Sequence, residues 1–202
     1  MFIPVICGLL RAAFLKNTPM RKYCVLLWLL ASASVAHGQE HADYLLWSPT
    51  HKLSVADFGI KNHGTNDHLS FAQFSIDYSV NGFDFLSRKF NKKVKNAMIT
   101  SASWIDTTRM VAISLRYQQT LFDLAEIYAR QFRKRLRENR KQIAKGTDIV
   151  RQWSEENATA LSKRRLQYDT ETKSGTDEAR QKEWETTIQK ELAQLDAYAY
   201  GK

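Results

Sequence analysis

Two different hydrophobic periods divide the chain near residue 106. Between Phe71 and Val80, apolar and polar side chains alternate, which is typical of a strand with one buried face. From about Asp106, apolar positions recur at steps of three and four, which predicts one face of a long helix. That face consists of Val111, Leu115, Gln118, Phe122, Ala125, Ala129, Phe132 and Leu136. Strands followed by helices favour an α+β fold over a parallel α/β sheet.

The region before residue 106 predicts a small antiparallel sheet. Its segments are a short strand at 44–47, an apolar stretch at 53–58 that ends in a turn at Gly59, the alternating strand, and an edge strand at 98–104. Asn81-Gly82 is a strong signal for a tight turn, so residues 83–90 are the expected return strand of a hairpin. Residues 62–67 have the composition of a loop.

Two further helices are predicted after the long one. Gly146 is a good stop signal, and Thr147 or Asp148 can cap a second helix that runs to about Leu166. A polar segment follows at 168–177, and Thr176 or Asp177 can cap a third helix. The apolar face of that third helix consists of Trp184, Ile188, Leu192 and Leu195.

The beginning of the chain has the pattern of a secretory signal peptide. Arg21-Lys22 is a basic n-region, residues 23–30 are an apolar h-region, and Ala36-His37-Gly38 places small side chains where signal peptidase cleaves. We therefore predict residues 1–38 as a signal peptide, with cleavage after Gly38 and a secreted or periplasmic product. A start at Met20, which would leave residues 1–19 untranslated, stays open, as does an uncleaved membrane anchor, although the apolar run is short for a full span.

Removal of residues 1–38 would change both the cysteine content and the charge. Cys7 and Cys24 lie in that segment, so the mature chain would have no disulfide and no thiolate ligand. The segment carries four basic and no acidic side chains, so the formal net charge would fall from +9 to +5. This mild excess does not indicate a nucleic-acid partner. We expect residues 39–202 to form a single domain, monomeric and without a membrane span.

Three motifs in order resemble a family of exported, uncharacterised bacterial proteins grouped with zinc-dependent peptidases. Trp47 followed by LSVADFG at 53–59 is similar to the family's opening motif. YQQTLFDLAEIYAR at 117–130 is similar to a helix that reads His-Glu-Gln-x-His-Phe-Asp in the family. YDTETKSG at 168–175, with Gln181 and Trp184 after it, is similar to the third motif. The resemblance implies a zincin-like fold over most of residues 44–200.

The departures from the family motifs fall on its metal site. In such a helix two His residues four apart ligate zinc, and a Glu beside the first activates water. Here those places hold Tyr117, Leu121 and Gln118, and Ser174 stands where the third motif has His. The resemblance therefore implies the family's fold without its chemistry. We accordingly predict a degenerate metallopeptidase-like domain with no metal, no cofactor and no catalytic residue.

The scaffold positions of the same motifs are kept. Asp123, Glu126, Arg130, Asp169 and Glu171 resemble groups that orient metal ligands in the family. In the absence of a metal, we expect these carboxylates to cap helix ends and to pair with Arg. His63 and His68 are expected to be surface residues, since no mature His has ligand spacing on a predicted helix.

The sequence thus favours a pseudo-peptidase that serves as a binding or accessory protein of the bacterial envelope. Its ligand would be an unknown peptide or protein, held in the old cleft at Tyr117, Gln118, Leu121 and Ser174. One alternative is a hydrolase with a site rebuilt from Asp123, Glu126 and Glu171. Another is an anion-binding surface protein that uses a basic run, for which a solvated or internally paired face is the competing explanation. That run consists of Arg130, Arg133, Lys134, Arg135, Arg137, Arg140, Lys141 and Lys145.

Overall fold

Four strands and four helices make up the part of the chain that the computed structural model describes, residues 43–62, 68–87 and 89–202. The strands are β1 (Tyr44–Leu46), β2 (Ile60–Asn62), β3 (Ser70–Tyr78) and β4 (Val94–Asp106). The helices are α1 (Val111–Glu138), α2 (Arg140–Ile143), α3 (Asp148–Thr172) and α4 (Glu178–Gln194). The predicted α+β class is confirmed. The predicted signal peptide and most of the loop predicted at 62–67 lie outside the described residues.

The sheet is mixed rather than antiparallel, and β4 is its centre. β3 runs antiparallel to β4 along one edge, with a bulge between Phe71 and Gln73. On the opposite edge β1 pairs antiparallel near Met98, and β2 pairs parallel near Ile105. The stretch predicted as an edge strand at 98–104 therefore lies in the most fully paired strand of the sheet.

The parallel pairing of β2 arises from a reversal of the chain between β1 and β2. A short 3-10 helix at Val55–Asp57 makes this reversal, and Gly59 then donates its N–H to the Thr100 carbonyl at 2.9 Å. A Cβ on Gly59 would lie 2.6 Å from that same carbonyl oxygen. Only glycine therefore allows the backbone to approach β4 this closely.

The hairpin predicted at Asn81-Gly82 is wrong, because Asn81 caps a 3-10 helix instead. Its side chain accepts the N–H of Phe83, and its own N–H is bound by the Asp84 carboxylate at 2.8 Å. The resulting 3-10 helix spans Gly82–Leu86, and a second one follows at Phe90–Lys92. The strand that returns along β3 is β4, which starts at Val94.

α1 is a central helix and not a helix with one buried face. Every residue from 120 to 130 is buried, because the sheet packs on one side and α3 and α4 pack on the other. The predicted apolar face is buried from Gln118 to Leu136, but so are Leu124 and Ile127 beside it. A second apolar stripe of the sequence, at Leu121, Leu124 and Tyr128, is therefore buried as well as the main face.

The short helix α2 was not predicted, whereas α3 and α4 follow the predictions with one change of boundary. α3 extends to Thr172, so the first part of the segment predicted as polar and irregular is helical. Tyr168 and Thr172 are fully buried in that last stretch, which explains why the helix continues through a polar sequence. Asp177 caps α4 by accepting the N–H of Arg180, and Trp184 and Ile188 on the predicted face are buried.

The basic run on α1 is divided between the interior and the surface. Arg130 and Arg133 are 5% and 0% exposed, and both bind Oε1 of Glu126, at 3.1 and 2.7 Å. Arg133 also donates to the carbonyl of Val94 in β4, and Arg130 donates to that of Leu192 in α4. Two of the eight side chains in the run are thus structural, which weakens the anion-binding alternative.

Among the residues that the structure describes, no helix has both the length and the apolar character needed to cross a membrane.

Replacing Glu126 with Gln should lower the free energy of unfolding by about 3 kcal/mol or more, because two buried guanidinium groups would lose their shared counter-charge. Urea denaturation measures this loss. Glu138→Gln on the same helix is the matched control, since Glu138 is exposed and 4.0 Å from Lys134, and it should cost less than about 1 kcal/mol. Equal small losses for both variants would contradict the structural role of Glu126.

Candidate functional site

The four positions where the chain departs from the resembled motifs line a single cavity. It has a volume of about 560 Å³ and lies between the first half of α1, the beginning of β3 and the end of α3. Tyr117, Gln118 and Leu121 line it from α1, and Ser174 lines it from the turn after α3. The other lining residues are His68, Leu69, Ser70, Phe71, Ala72, Trp104, Ser114, Arg165, Leu166, Asp169, Lys173 and Thr176.

A shared carboxylate joins Tyr117 and Ser174. The Tyr117 hydroxyl donates to Oδ1 of Asp169 at 2.7 Å, and the Ser174 hydroxyl donates to the same oxygen at 2.9 Å. The Tyr117 ring also stacks on Tyr168, with 5.3 Å between the ring centroids. Burial and the neighbouring carboxylate raise the pKa of Tyr117, so its phenol is a neutral donor at physiological pH.

The turn after α3 is held against α1 by its backbone conformation. Lys173, Ser174 and Gly175 all have positive φ, of 49°, 55° and 85°. A Cβ on Gly175 would lie 2.8 Å from the Cβ of Tyr117. Gly175 therefore allows the turn to approach Tyr117 and brings Ser174 to the cavity.

Gln118 and Leu121 form the inner part of the α1 wall. Gln118 is 2% exposed and donates from Nε2 to the Ser70 hydroxyl at 3.0 Å, which joins α1 to β3. Its Oε1 and the hydroxyl of Ser114 are buried, and neither has a hydrogen-bond partner within the described part of the chain. Leu121 is a buried apolar wall residue. Tyr117 and Leu121 thus line the cavity and do not fill it completely.

The predicted pairing of the site carboxylates with Arg holds for Glu126 alone. Asp123 instead accepts three neutral donors, from Trp47 at 2.8 Å, Gln119 at 2.9 Å and Gln189 at 3.2 Å. Burial raises the pKa of Asp123, and the hydrogen bonds from Trp47 and Gln119 offset part of that effect. These donors come from the residue after β1, from α1 itself and from α4. Asp123 thus joins three parts of the fold.

The carboxylates named for a rebuilt hydrolase do not converge. Glu171 accepts from the indole of Trp184 at 2.8 Å and lines a second, shallower depression next to α4. Asp123 and Glu126 line neither that depression nor the large cavity. The geometry therefore does not support a catalytic set built from these three residues.

The third motif contains a buried polar chain whose role was not predicted. The Tyr168 hydroxyl donates to Oε1 of Gln181 at 2.7 Å, and Nε2 of Gln181 donates to the Thr120 hydroxyl at 2.9 Å. This chain joins α3, α4 and α1 behind the cavity. The sequence signal for this chain was the spacing of Tyr168, Gln181 and Trp184 in the third motif. In the structure these residues pack the helices together.

Sequence reasoning missed Arg165 altogether. It lies in Lys163-Arg164-Arg165, which has the composition of an exposed helix face. In the structure Arg165 is partly buried, lines the cavity, and lies over the ring of Phe74 at 5.8 Å.

The lining residues do not fit the zinc that the resemblance implies. A catalytic zinc takes about three nitrogen, sulfur or carboxylate ligands. At the places that the resemblance assigns to ligands the chain has a phenol, an alkyl group and a hydroxyl, and both oxygen groups are donors to Asp169. Within the described ranges no group of three His, Cys, Asp or Glu side chains is arranged to hold a metal ion.

The raised pKa of Asp123 makes stability depend on pH in a testable way. As pH rises from the unfolded pKa towards the higher folded pKa, the native state loses stability, by at most about 1.4 kcal/mol per pH unit for one proton. Asp123→Asn removes this titration, so its stability relative to the unchanged protein should increase across that window and then level off. Urea denaturation between about pH 3 and pH 8 measures the difference. A difference that is constant or falls with pH would contradict the raised pKa.

Comparisons of the chain with family models, with curated proteins and with solved structures found no match. The resemblance to exported zinc-dependent peptidases and the zincin-like fold therefore stay hypotheses that rest on the three motifs.

Proposed function

We propose that the protein is an exported, non-catalytic binding or accessory domain of the bacterial envelope, and that its cavity holds a peptide or a segment of a partner protein. The observation that carries the proposal is the convergence of Tyr117, Gln118, Leu121 and Ser174 on one cavity. Those are the places where the resembled family has its metal ligands and its base. The cleft is thus retained while the groups that would cleave a peptide are replaced.

The size and lining of the cavity favour a ligand. Pockets for small ligands have volumes of about 300–1,000 Å³ and combine apolar walls with a few oriented polar groups. Here Leu121, Phe71 and Leu166 supply apolar surface, and the guanidinium of Arg165 supplies hydrogen-bond donors. Leu166 is 68% exposed and Phe71 is 41% exposed, so both are accessible to a bound chain.

The chemistry of the lining favours binding over catalysis. A general base or an activated nucleophile needs a pKa near the working pH and a partner that orients it. The phenol of Tyr117 has a pKa raised well above that range, and Oδ1 of Asp169 already accepts two hydroxyl groups. Export to the envelope is proposed on the pattern of residues 1–38 alone.

Leu166→Asp should reduce binding of peptides at least tenfold, because it places a charge on the apolar rim of the cavity. The purified protein is mixed with pooled synthetic octapeptides carrying free or amidated ends, and bound peptides are separated by gel filtration and identified by mass spectrometry. Leu86→Asp is the matched control, since Leu86 is 74% exposed and does not line the cavity.

Three outcomes of that experiment oppose the proposal. Retention of no peptide by the unchanged protein would overturn it, and equal losses for the two variants would remove the cavity as the site. Peptides recovered in cleaved form would show an enzyme instead.

Restoring the replaced ligands tests the link to a metal site. Tyr117→His, Leu121→His and Ser174→His together should give a protein that binds about one zinc ion, whereas the unchanged protein should hold zinc well below one per chain. The matched control is the double variant without Ser174→His, which should bind zinc at least tenfold more weakly. Metal content after dialysis and titration calorimetry give these values, and circular dichroism checks folding. Equal zinc affinity of the double and triple variants would show that Ser174 does not occupy a former ligand position.

A further inference from the structure

Within the described part of the chain Arg165 has no hydrogen-bond acceptor, unlike the semi-buried arginines that lie near it, Arg164 and Arg116. Its neighbour Arg164 makes a two-pronged pair with Glu191, and Arg116 binds both Glu178 and Glu185. Arg165 contacts the face of the Phe74 ring, and it makes no hydrogen bond or ion pair within residues 43–62, 68–87 and 89–202.

An unpaired guanidinium at such a place is energetically unfavourable. Partial burial removes hydration from the charge, which lowers the pKa of Arg165, although an arginine stays charged at any physiological pH. Its five N–H donors form a planar fork that matches the two oxygens of a carboxylate. An anionic ligand in the cavity would supply the acceptors that the protein does not.

The charges around the cavity favour an anion with a single charge. Arg165 and Lys173 are basic and Asp169 is acidic, so these three side chains of the lining together carry one net positive charge. Asp169 already accepts from Tyr117 and Ser174 through one oxygen. It would repel a doubly charged phosphate more than a carboxylate.

The apolar part of the lining indicates what is attached to that anion. Leu121, Phe71, Ala72 and Leu166 line the same space as Arg165. A ligand that satisfies both would have a carboxylate next to an apolar side chain, as the C-terminal residue of a peptide has.

We propose that the cavity recognises the free C-terminal carboxylate of a peptide or protein, with Arg165 as the anchor and the apolar wall receiving the last side chain. The inference rests on the proposed peptide-binding function and narrows its ligand. The proposal assigns a direct role in binding to Arg165, which lies in α3 outside the three motifs.

The test compares two pools of octapeptides of the same sequences, one with free C-termini and one with C-terminal amides. The unchanged protein should retain the free-acid pool at least tenfold more strongly. Arg165→Gln should abolish this preference, and Arg165→Lys should keep part of it. Arg151→Gln is the matched control on the same helix, because its side chain is 69% exposed and does not line the cavity. It should leave the preference unchanged.

The outcomes separate the two proposals. Equal retention of acid and amide pools by the unchanged protein would overturn carboxylate recognition and leave peptide binding in place. Retention of neither pool would overturn both. Displacement of the free-acid peptides by inorganic phosphate at lower concentration than by acetate would replace the carboxylate with a phosphate group as the ligand. If Arg165→Gln fails to fold, the comparison of the two pools on the unchanged protein still decides whether the C-terminal carboxylate is recognised.

Discussion

The arrangement of the fold depends on the buried ion pairs that Glu126 makes with Arg130 and Arg133. The negative charge of Glu126 faces the guanidinium groups of Arg130 and Arg133, and both arginines also donate to backbone carbonyls. Those carbonyls include Val94 at the beginning of β4 and Leu192 near the end of α4. Charges in a protein interior tolerate little misplacement, because each unsatisfied donor costs desolvation energy. The network therefore fixes α1 against the sheet and α4 together.

This arrangement divides α1 into a structural half and a half that faces the cavity. The ion network occupies the part after Glu126, whereas Tyr117, Gln118 and Leu121 lie about two turns earlier. The earlier part is held by hydrogen bonds to separate elements, to Ser70 in β3 and to Asp169 in α3. The cavity lies where these elements meet.

Sequence patterns identified what depends on local periodicity and missed what depends on tertiary partners. The alternation around Phe74 and the helical period through Phe122 correspond to β3 and α1. The hairpin prediction at Asn81-Gly82 failed because the same residues are typical of a tight turn and of a helix cap. The hydrogen bond from the Asn81 N–H to Asp84 stabilises the cap. Arg165 was missed for a related reason: a charged side chain in a basic stretch is normally solvated, and its burial depends on a distant strand.

The residues that match the family motif have structural roles that need no metal. Asp123 holds the indole of Trp47, Glu126 holds two buried arginines, and Phe122 stacks on Phe74 at 4.9 Å. Loss of any one of them would leave a buried polar group or a void, whatever the activity of the protein. The positions that depart from the resembled motif also have structural contacts, since Tyr117 binds Asp169 and Gln118 binds Ser70. They differ from Asp123 and Glu126 in that they line the cavity. The contacts of the first set are thus sufficient to explain those residues without a metal, and the second set comprises the positions that a ligand in the cavity would touch.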